Sequence, residues 1–120
     1  MILVDTSIWI DHFRRGNPAL CHLLEQGAVV CHPFVTGELI CGNLAQREKI
    51  LSLLAELPQA RVVTNQEALA FLEIRNLSGR GLGWVDINLL ASALLMVVPL
   101  WTRDRALAQA AGELGISWEG

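Results

Sequence analysis

The sequence has almost no lysine and no apolar run long enough to cross a membrane. Lys49 is the only lysine among nine basic residues, and twelve acidic residues leave the chain with a net charge of −3. Nucleic-acid binding therefore cannot rest on a globally basic surface, and it requires a local patch or bridging metal ions. The longest apolar stretch, residues 89–98, falls short of the ~20 residues that a spanning helix needs. We expect a core helix there and no membrane segment.

A secretion signal and a disulfide framework are also missing. The N-terminus has neither a basic leader nor a small-residue cleavage site, which predicts a cytoplasmic protein. Cys21, Cys31 and Cys41 are odd in number and lie among apolar residues, so we expect buried, free thiols in a reducing compartment. The adjacent Cys-His pairs at 21–22 and 31–32 are poorly spaced for one tetrahedral zinc ion, and there is no CxxC motif.

Apolar residues are abundant in the sequence. Its 120 residues are 52% hydrophobic, with a mean hydropathy of +0.41, which excludes a disordered chain. No linker, internal repeat or low-complexity segment divides it, so we assign residues 1–120 to a single domain. The apolar surplus is more than a small monomer needs and predicts a covered partner surface, as in a homodimer.

Short apolar runs alternate with helical patterns along the chain. Strands are predicted at 2–4, 28–31, 61–63, 99–102 and 116–118, and a glycine-rich loop at 78–83. Helices are predicted between the capping segment 5–7 and residue 15, and over 18–26, 34–41, 46–57, 65–77, 83–97 and 103–112, with Asn17 and Asn65 as N-caps. This alternation predicts a three-layer α/β/α sandwich with a central, mainly parallel sheet.

Four acidic residues lie where such a sheet gathers its functional groups. Asp5 ends the first strand and Asp104 follows the strand at 99–102, so both are expected to face the crevice at the carboxyl ends of the strands. Glu38 lies in the third helix, in an apolar segment without a basic residue. Asp86 lies in the first turn of the core helix, on its buried stripe. We expect both of these carboxylates to need a partner.

Converging carboxylates without nearby cations repel one another, and this raises their pKa values unless a divalent cation neutralises them. An all-oxygen site suits Mg²⁺ or Mn²⁺. Ions ~3.5–4 Å apart would serve phosphodiester hydrolysis by activating a water and stabilising the leaving oxygen. The structural alternatives are helix N-caps for Asp5 and Asp104, a first-turn acid for Asp86 and a partly exposed helix residue for Glu38. Because all four acids are expected at one edge of the sheet, we favour a functional site over four separate structural roles.

Four segments of the chain resemble the signature blocks of the PIN-domain ribonucleases, in the expected order and spacing. They are ILVDTSIWID (2–11), VTGEL (35–39), WVDINLLASA (84–93) and LWTRD (100–104). The length makes the chain similar to the VapC-type toxins of bacterial toxin–antitoxin pairs. This resemblance implies an endoribonuclease that cuts a structured RNA, either tRNA or rRNA. It also implies dimerisation and a cognate VapB-type antitoxin that covers grooves near the third and fourth helices, residues 34–57.

The resemblance also implies roles for single residues. It implies an acidic quartet that holds Mg²⁺ or Mn²⁺, and the members of the quartet are Asp5, Glu38, Asp86 and Asp104. Asp5 and Asp86 are its direct ligands, while Glu38 and Asp104 complete the site directly or through water. Three hydroxyl residues would orient the carboxylates or a bound water, and these are Thr6, Ser7 and Thr102.

Arginines near these segments are candidate contacts for RNA phosphates. They are Arg14, Arg15, Arg80, Arg103 and Arg105, and the alternative for each is a solvated surface arginine. Arg103 and Arg105 are stronger candidates because they flank Asp104 in the sequence. Asn88, two residues beyond Asp86, either points into the site or lies on the helix surface.

Other protein classes fit the sequence less well. A receiver domain pairs two adjacent acids after its first strand and uses a late lysine, whereas Asp5 is followed by Thr6-Ser7 and Lys49 is the only lysine. A DxD phosphatase fails for similar reasons. The alternative from a different class is a catalytically silent PIN-like module that acts through protein binding or RNA sequestration. The presence of all four acids counts against it.

Overall fold

Residues 1–119, which the computed structural model describes, form three short parallel strands and seven helices around them. The strands are β1 (Ile2–Val4), β2 (Val29–Val30) and β3 (Leu100–Trp101), in the sheet order β2-β1-β3. Leu3 of β1 is paired with Val30 on one side and with Leu100 on the other, and both pairings are parallel. The predicted α/β sandwich with a parallel sheet is confirmed.

The helices follow the predicted patterns within a few residues. They are α1 (Thr6–Arg15), α2 (Pro18–Glu25), α3 (Pro33–Cys41), α4 (Arg47–Glu56), α5 (Asn65–Ile74), α6 (Trp84–Met96) and α7 (Arg105–Glu113). Asp5, Asn17 and Asp104 begin α1, α2 and α7 by accepting a hydrogen bond from a backbone N–H of the first turn. Such caps fix where a helix starts and stabilise it by about 1 kcal/mol.

The core is built on the central strand and on α6. All three residues of β1 are buried, and α6 buries every residue from 87 to 93. A helix that is buried on all sides is a central element of a packed core. It holds Asp86, in its first turn, on a rigid support. No helix in the described part of the chain is long and apolar enough to span a membrane.

Three predicted details of secondary structure are wrong. Residues 61–63 do not form a strand, because the N–H of Arg61 donates to Met96 Sδ and Val62 is exposed. The predicted strand at 116–118 is reduced to one bridge, between Leu100 and Ser117. The N-cap of α5 is Thr64 rather than Asn65, since Thr64 and Glu67 exchange side-chain to backbone hydrogen bonds in a capping box.

The cysteines match their prediction in part. All three are free thiols, but only Cys31 is buried, whereas Cys21 and Cys41 are exposed on α2 and α3. Their helices turn these positions to solvent, so an apolar neighbourhood in sequence did not mean burial.

Candidate active site

Four carboxylates from four different elements meet at the carboxyl edge of the sheet. Asp5 directly follows β1, Asp104 begins α7 just after β3, Glu38 lies on α3, and Asp86 lies on the first turn of α6. The pKa of Asp86 is raised by burial and also by the negative charges of Asp5, Asp104 and Glu38. The structure thus brings together the four acids that the sequence singled out.

Asp5 is the most buried of the four, with 6% of its surface exposed. Its Oδ2 accepts hydrogen bonds from Thr102 Oγ1 at 2.7 Å and from Ser7 Oγ at 2.8 Å, and a longer one from the Ser7 N–H at 3.4 Å. All three hydrogen bonds that the structure describes for this carboxylate reach Oδ2. They fix its orientation and leave Oδ1 open to a ligand.

The same two hydroxyls hold the segment that follows β3. Ser7 Oγ accepts a hydrogen bond from the Arg103 N–H at 2.9 Å, and Thr102 Oγ1 accepts one from the Asp104 N–H at 3.0 Å. These contacts are possible because β1 and β3 are neighbouring parallel strands, so the residues after them lie side by side. The backbone of Asp104 is therefore tied to the surroundings of Asp5, while its side chain caps α7.

Glu38 corrects one expectation. It is exposed rather than buried on an apolar face, because α3 buries Val35 and Leu39 instead. Its carboxylate is therefore hydrated at the rim of the site and does not need a buried partner. Thr6 Oγ1 donates a 2.6 Å hydrogen bond to Glu38 Oε1, which links α1 to α3.

Asp86 is half-buried, and its Oδ2 accepts the Gly83 N–H at 2.9 Å. That bond caps the start of α6 and favours the charged form of the carboxylate, against the effect of burial and of the other three acids. Within residues 1–119, no ion pair with an arginine, lysine or histidine reaches any of the four acids. The four carboxylates therefore have no basic counter-charge in an ion pair among the described residues.

The donor set fits a hydrated divalent cation. In the part of the chain that the structure describes, no three His, Cys, Asp or Glu side chains lie close enough together to hold one ion among them. Mg²⁺ does not require this, because it is commonly bound by one or two carboxylates and keeps several waters. The open Oδ1 of Asp5 and the half-buried carboxylate of Asp86 are donors of that kind.

Asn88 does not lie on the helix surface, and among the described residues it makes no hydrogen bond with the four acids. It is buried, and its Nδ2 donates to the Trp84 carbonyl at 2.9 Å. Its Oδ1 has no hydrogen-bond partner among the described residues. The prediction of a surface position is wrong, since the complete burial of this part of α6 encloses the side chain.

The predicted RNA-contacting arginines have different surroundings. Both terminal nitrogens of Arg80 bind Glu113, with Nη1–Oε1 and Nη2–Oε2 distances of 2.8 and 2.9 Å, which ties the glycine-rich loop to α7. Arg105 is exposed at the start of α7. Arg103 is bound to Asp11.

Asp11 was not among the site residues predicted from the sequence. Its Oδ1 accepts hydrogen bonds from Arg15 Nε and from Arg103 Nη1, both at 2.6 Å, and its Oδ2 accepts one from Asn17 Nδ2 at 3.2 Å. The bond from Arg15 does most to lower the pKa of Asp11, and Asn17 and Arg103 add to the effect. The i,i+4 spacing of Asp11 and Arg15 was a usable signal. No signal in the sequence indicated the contact with Arg103, which lies 92 positions away.

An apolar groove begins at Glu38 and runs between α1 and the end of α3. Its volume is about 340 Å³. It is lined by Ile10, Phe13, Arg14, Glu38, Leu39 and residues 42–45. The groove therefore adjoins the acidic site on the side where the antitoxin was expected.

Known proteins resemble this chain over nearly its whole length. The sequence pattern of the family described as PIN domain matches residues 2–113. Ribonuclease VapC32 from Mycobacterium tuberculosis, strains CDC 1551 / Oshkosh and ATCC 25618 / H37Rv, is 49% identical over 118 residues, which cover 98% of this chain and 95% of the relative.

Two solved structures share the fold. The crystal structure of FitAcB from Neisseria gonorrhoeae aligns with a TM-score of 0.64 at 20% identity and covers 93% of this chain and 94% of its own. The structure of FitAB bound to an IR36 DNA fragment aligns with a TM-score of 0.61 at 20% identity, over 93% and 91%. At this identity, the likeness concerns the fold alone.

Proposed function

The chain belongs to the PIN domain family, and on this basis we propose that it is a Mg²⁺- or Mn²⁺-dependent endoribonuclease, the toxin of a toxin–antitoxin pair. Its substrate would be a structured RNA, either tRNA or rRNA. One observation carries the proposal: four carboxylates converge from four elements without a basic partner among the described residues. The 49% identity to Ribonuclease VapC32 supports cleavage of RNA.

Asp5 and Asp86 would hold the cation directly, and Asp104 and Glu38 would complete the site, directly or through water. The open Oδ1 of Asp5 and the repulsion felt by Asp86 support this assignment. When bound, such an ion provides an activated water and neutralises charge on the phosphate and on the leaving oxygen.

Hydroxyl groups would hold these carboxylates in a fixed orientation before a cation binds. Ser7 and Thr102 both donate to Oδ2 of Asp5, so its other oxygen keeps one direction. Thr6 restrains Glu38 in the same way. Because these hydrogen bonds already hold the carboxylates in one orientation, less conformational entropy is lost when a cation binds.

RNA phosphates would be contacted by Arg103 and Arg105, which flank Asp104 in sequence. Arg80 is a weaker candidate, because it would first have to release Glu113 from two hydrogen bonds. All three arginines would act on the substrate strand rather than on the cation.

The proposal is tested by incubating total bacterial RNA with purified protein in Mg²⁺ or Mn²⁺. EDTA, Asp5→Asn and the remote control Glu73→Gln, at an exposed position on α5, complete the series. Discrete fragments that require both the metal and Asp5, and that persist in Glu73→Gln, would support the nuclease. Calorimetric metal binding without any cleavage would favour a substrate outside the sample. Absence of both would favour a catalytically silent binding module.

We further propose that a VapB-type antitoxin inhibits the protein by filling the apolar groove beside Glu38. The groove adjoins the acidic site, so a bound segment there could also bring a basic side chain to the carboxylates. Leu44→Glu would put a charge in the groove wall. We expect it to release cleavage from inhibition by the cognate antitoxin, with cleavage by the free toxin unchanged.

The chain is also proposed to form homodimers in the cytoplasm. Ile74 at the end of α5 and Val97 after α6 are 75% and 85% exposed, and α5 packs against α6. Large exposed apolar side chains favour a covered surface. Light scattering on the purified protein tests this, and we expect a dimer mass that Val97→Asp reduces to that of a monomer.

A further inference from the structure

A cluster of basic residues adjoins the acidic site across Ser7. We propose that Arg14, Arg15 and Arg103, organised by Asp11, bind a phosphate of the RNA strand next to the scissile bond. This inference rests on the proposed ribonuclease function and adds to it a substrate-binding site. The three arginines line one open depression of about 390 Å³, together with Ser7, Ile10 and Asp11.

Asp11 brings two guanidinium groups to a single oxygen atom. Arg15 Nε and Arg103 Nη1 both lie 2.6 Å from Asp11 Oδ1. Each guanidinium has five N–H donors in a rigid plane, so one bond to Asp11 leaves most of them free. The two groups are thus fixed side by side with unused donors, which is the arrangement that binds a phosphate well.

The charge of the cluster exceeds what Asp11 can neutralise. Three arginines against one carboxylate leave an excess of positive charge in a chain whose net charge is −3. Arg14 is exposed and makes no ion pair within residues 1–119. A phosphodiester, with one negative charge, would offset part of this excess.

The depression is joined to the acidic site by one side chain. Ser7 Oγ donates to Asp5 Oδ2 at 2.8 Å and accepts the Arg103 N–H at 2.9 Å. A strand whose scissile phosphate lies at Asp5 would therefore bring a neighbouring phosphate toward Arg103. The acidic site repels RNA in the absence of a cation, so an adjacent basic site would supply the attraction that holds the strand.

Stability alone does not account for this cluster. The side chains of Arg15 and Arg103 are 68% and 52% exposed, although that of Asp11 is only 12% exposed, and ion pairs with such hydrated guanidinium groups contribute little to folding free energy. The bonds from Arg15 and Asn17 already occupy both oxygens of Asp11. The additional bond from Arg103 places a second cation at the edge of the site.

The test is binding of a short, fluorescein-labelled single-stranded RNA of mixed sequence, followed by anisotropy over a series of salt concentrations. All variants carry Asp86→Asn, so that the RNA stays intact. We expect Arg103→Gln and Arg15→Gln to raise Kd about tenfold at low salt. Each should reduce the slope of log K against log salt by about 0.7. Arg75→Gln, an exposed arginine at the end of α5, should change neither.

A second variant tests the part played by Asp11. Asp11→Ala removes the acceptor that holds Arg15 and Arg103 side by side, so we expect weaker RNA binding at low salt although a negative charge is lost. A Kd equal to that of the Asp86→Asn protein would overturn this role. Unfolding temperature and calorimetric metal affinity, measured for each arginine variant in the otherwise wild-type protein, should match the parent.

Failure of this inference is distinct from failure of the nuclease proposal. If Arg103→Gln and Arg15→Gln bind RNA with the Kd and slope of Arg75→Gln, the phosphate site is overturned, whether or not the wild-type protein cleaves RNA. If those variants lose binding while the wild-type protein neither cleaves RNA nor binds Mg²⁺ or Mn²⁺, the basic site stands and the nuclease is overturned.

Discussion

The hydroxyl of Thr102 lies 2.7 Å from the carboxylate of Asp5, although 97 positions separate the two residues in sequence. They meet because each follows one of two neighbouring parallel strands, β1 and β3. Ser7 binds the same oxygen from the first turn of α1. The topology of the sheet therefore orients the buried acid through one oxygen and leaves its other oxygen without a hydrogen bond from the described residues.

Replacing Thr102 by valine should reduce both metal affinity and RNA cleavage by about 10–100-fold. Valine keeps the shape of the side chain but removes the donor to Asp5 and the acceptor for the Asp104 N–H. Thr102→Ser keeps the hydroxyl and should retain most of both properties. Calorimetry with Mn²⁺ and cleavage rates measure the two effects. Full metal affinity in Thr102→Val would contradict the orienting role.

Replacing Asp86 by asparagine should stabilise the metal-free protein. The substitution removes a half-buried charge that is repelled by three neighbouring carboxylates, and the amide oxygen can still accept the Gly83 N–H. In EDTA, we expect a higher unfolding temperature than for the wild type, and a smaller rise when Mn²⁺ is added. Glu73→Gln should behave like the wild type. A less stable Asp86→Asn protein in EDTA would argue against mutual repulsion.

Stability should fall in mild acid because of His32. This residue is fully buried; its Nδ1 accepts the Phe34 N–H at 3.0 Å, and its Nε2 lies 3.1 Å from Ser92 Oγ. Burial lowers its pKa from 6.5 to about 4. The unfolded chain binds a proton below about 6.5 and the folded protein only below about 4. The free energy of unfolding should therefore decrease across that interval, by roughly 3 kcal/mol at most.

Urea unfolding at about pH 7 and about pH 4.5 measures this loss. His32→Asn keeps an acceptor for the Phe34 N–H but cannot take up a proton, so its stability should depend less on pH. The exposed His22 is the matched control, and His22→Asn should keep the wild-type dependence. Equal dependence in wild type and His32→Asn would rule out the buried histidine as the cause.

The pair of Arg80 and Glu113 should matter little for stability. It is bidentate, but the two side chains are 29% and 50% exposed, and such pairs contribute about 0–1 kcal/mol. A double-mutant cycle with Arg80→Gln and Glu113→Gln should give a coupling free energy in that range. A coupling of several kcal/mol would indicate that the glycine-rich loop depends on this pair.

The sequence predicted the elements and caps well because these are set by local chemistry. Asp5, Asn17 and Asp104 were recognisable as residues that start helices, and all three do so. The exposed position of Glu38 on α3 could not be predicted from the sequence in the same way. Nearly every residue of α3 is apolar, so the pattern does not distinguish a buried face from an exposed one.

Contacts between distant segments explain the remaining differences. The two valines in the segment 61–63 favoured a strand, but a strand needs a partner and the Arg61 N–H bonds to Met96 instead. Asp11 gave no indication of binding Arg103, since only the folded sheet brings α1 beside the segment after β3. The site was predictable as a set of acids, whereas the groups that hold and flank them required the structure.

The most direct test of the account is the rate of RNA cleavage in Mn²⁺ by four single variants of the acidic site, Asp5→Asn, Glu38→Gln, Asp86→Asn and Asp104→Asn. Glu73→Gln serves as the control outside the site. We expect a large loss of cleavage in each of the four, with folded protein confirmed by thermal unfolding, and the wild-type rate in the control. Wild-type cleavage by Asp5→Asn and Asp86→Asn would contradict it.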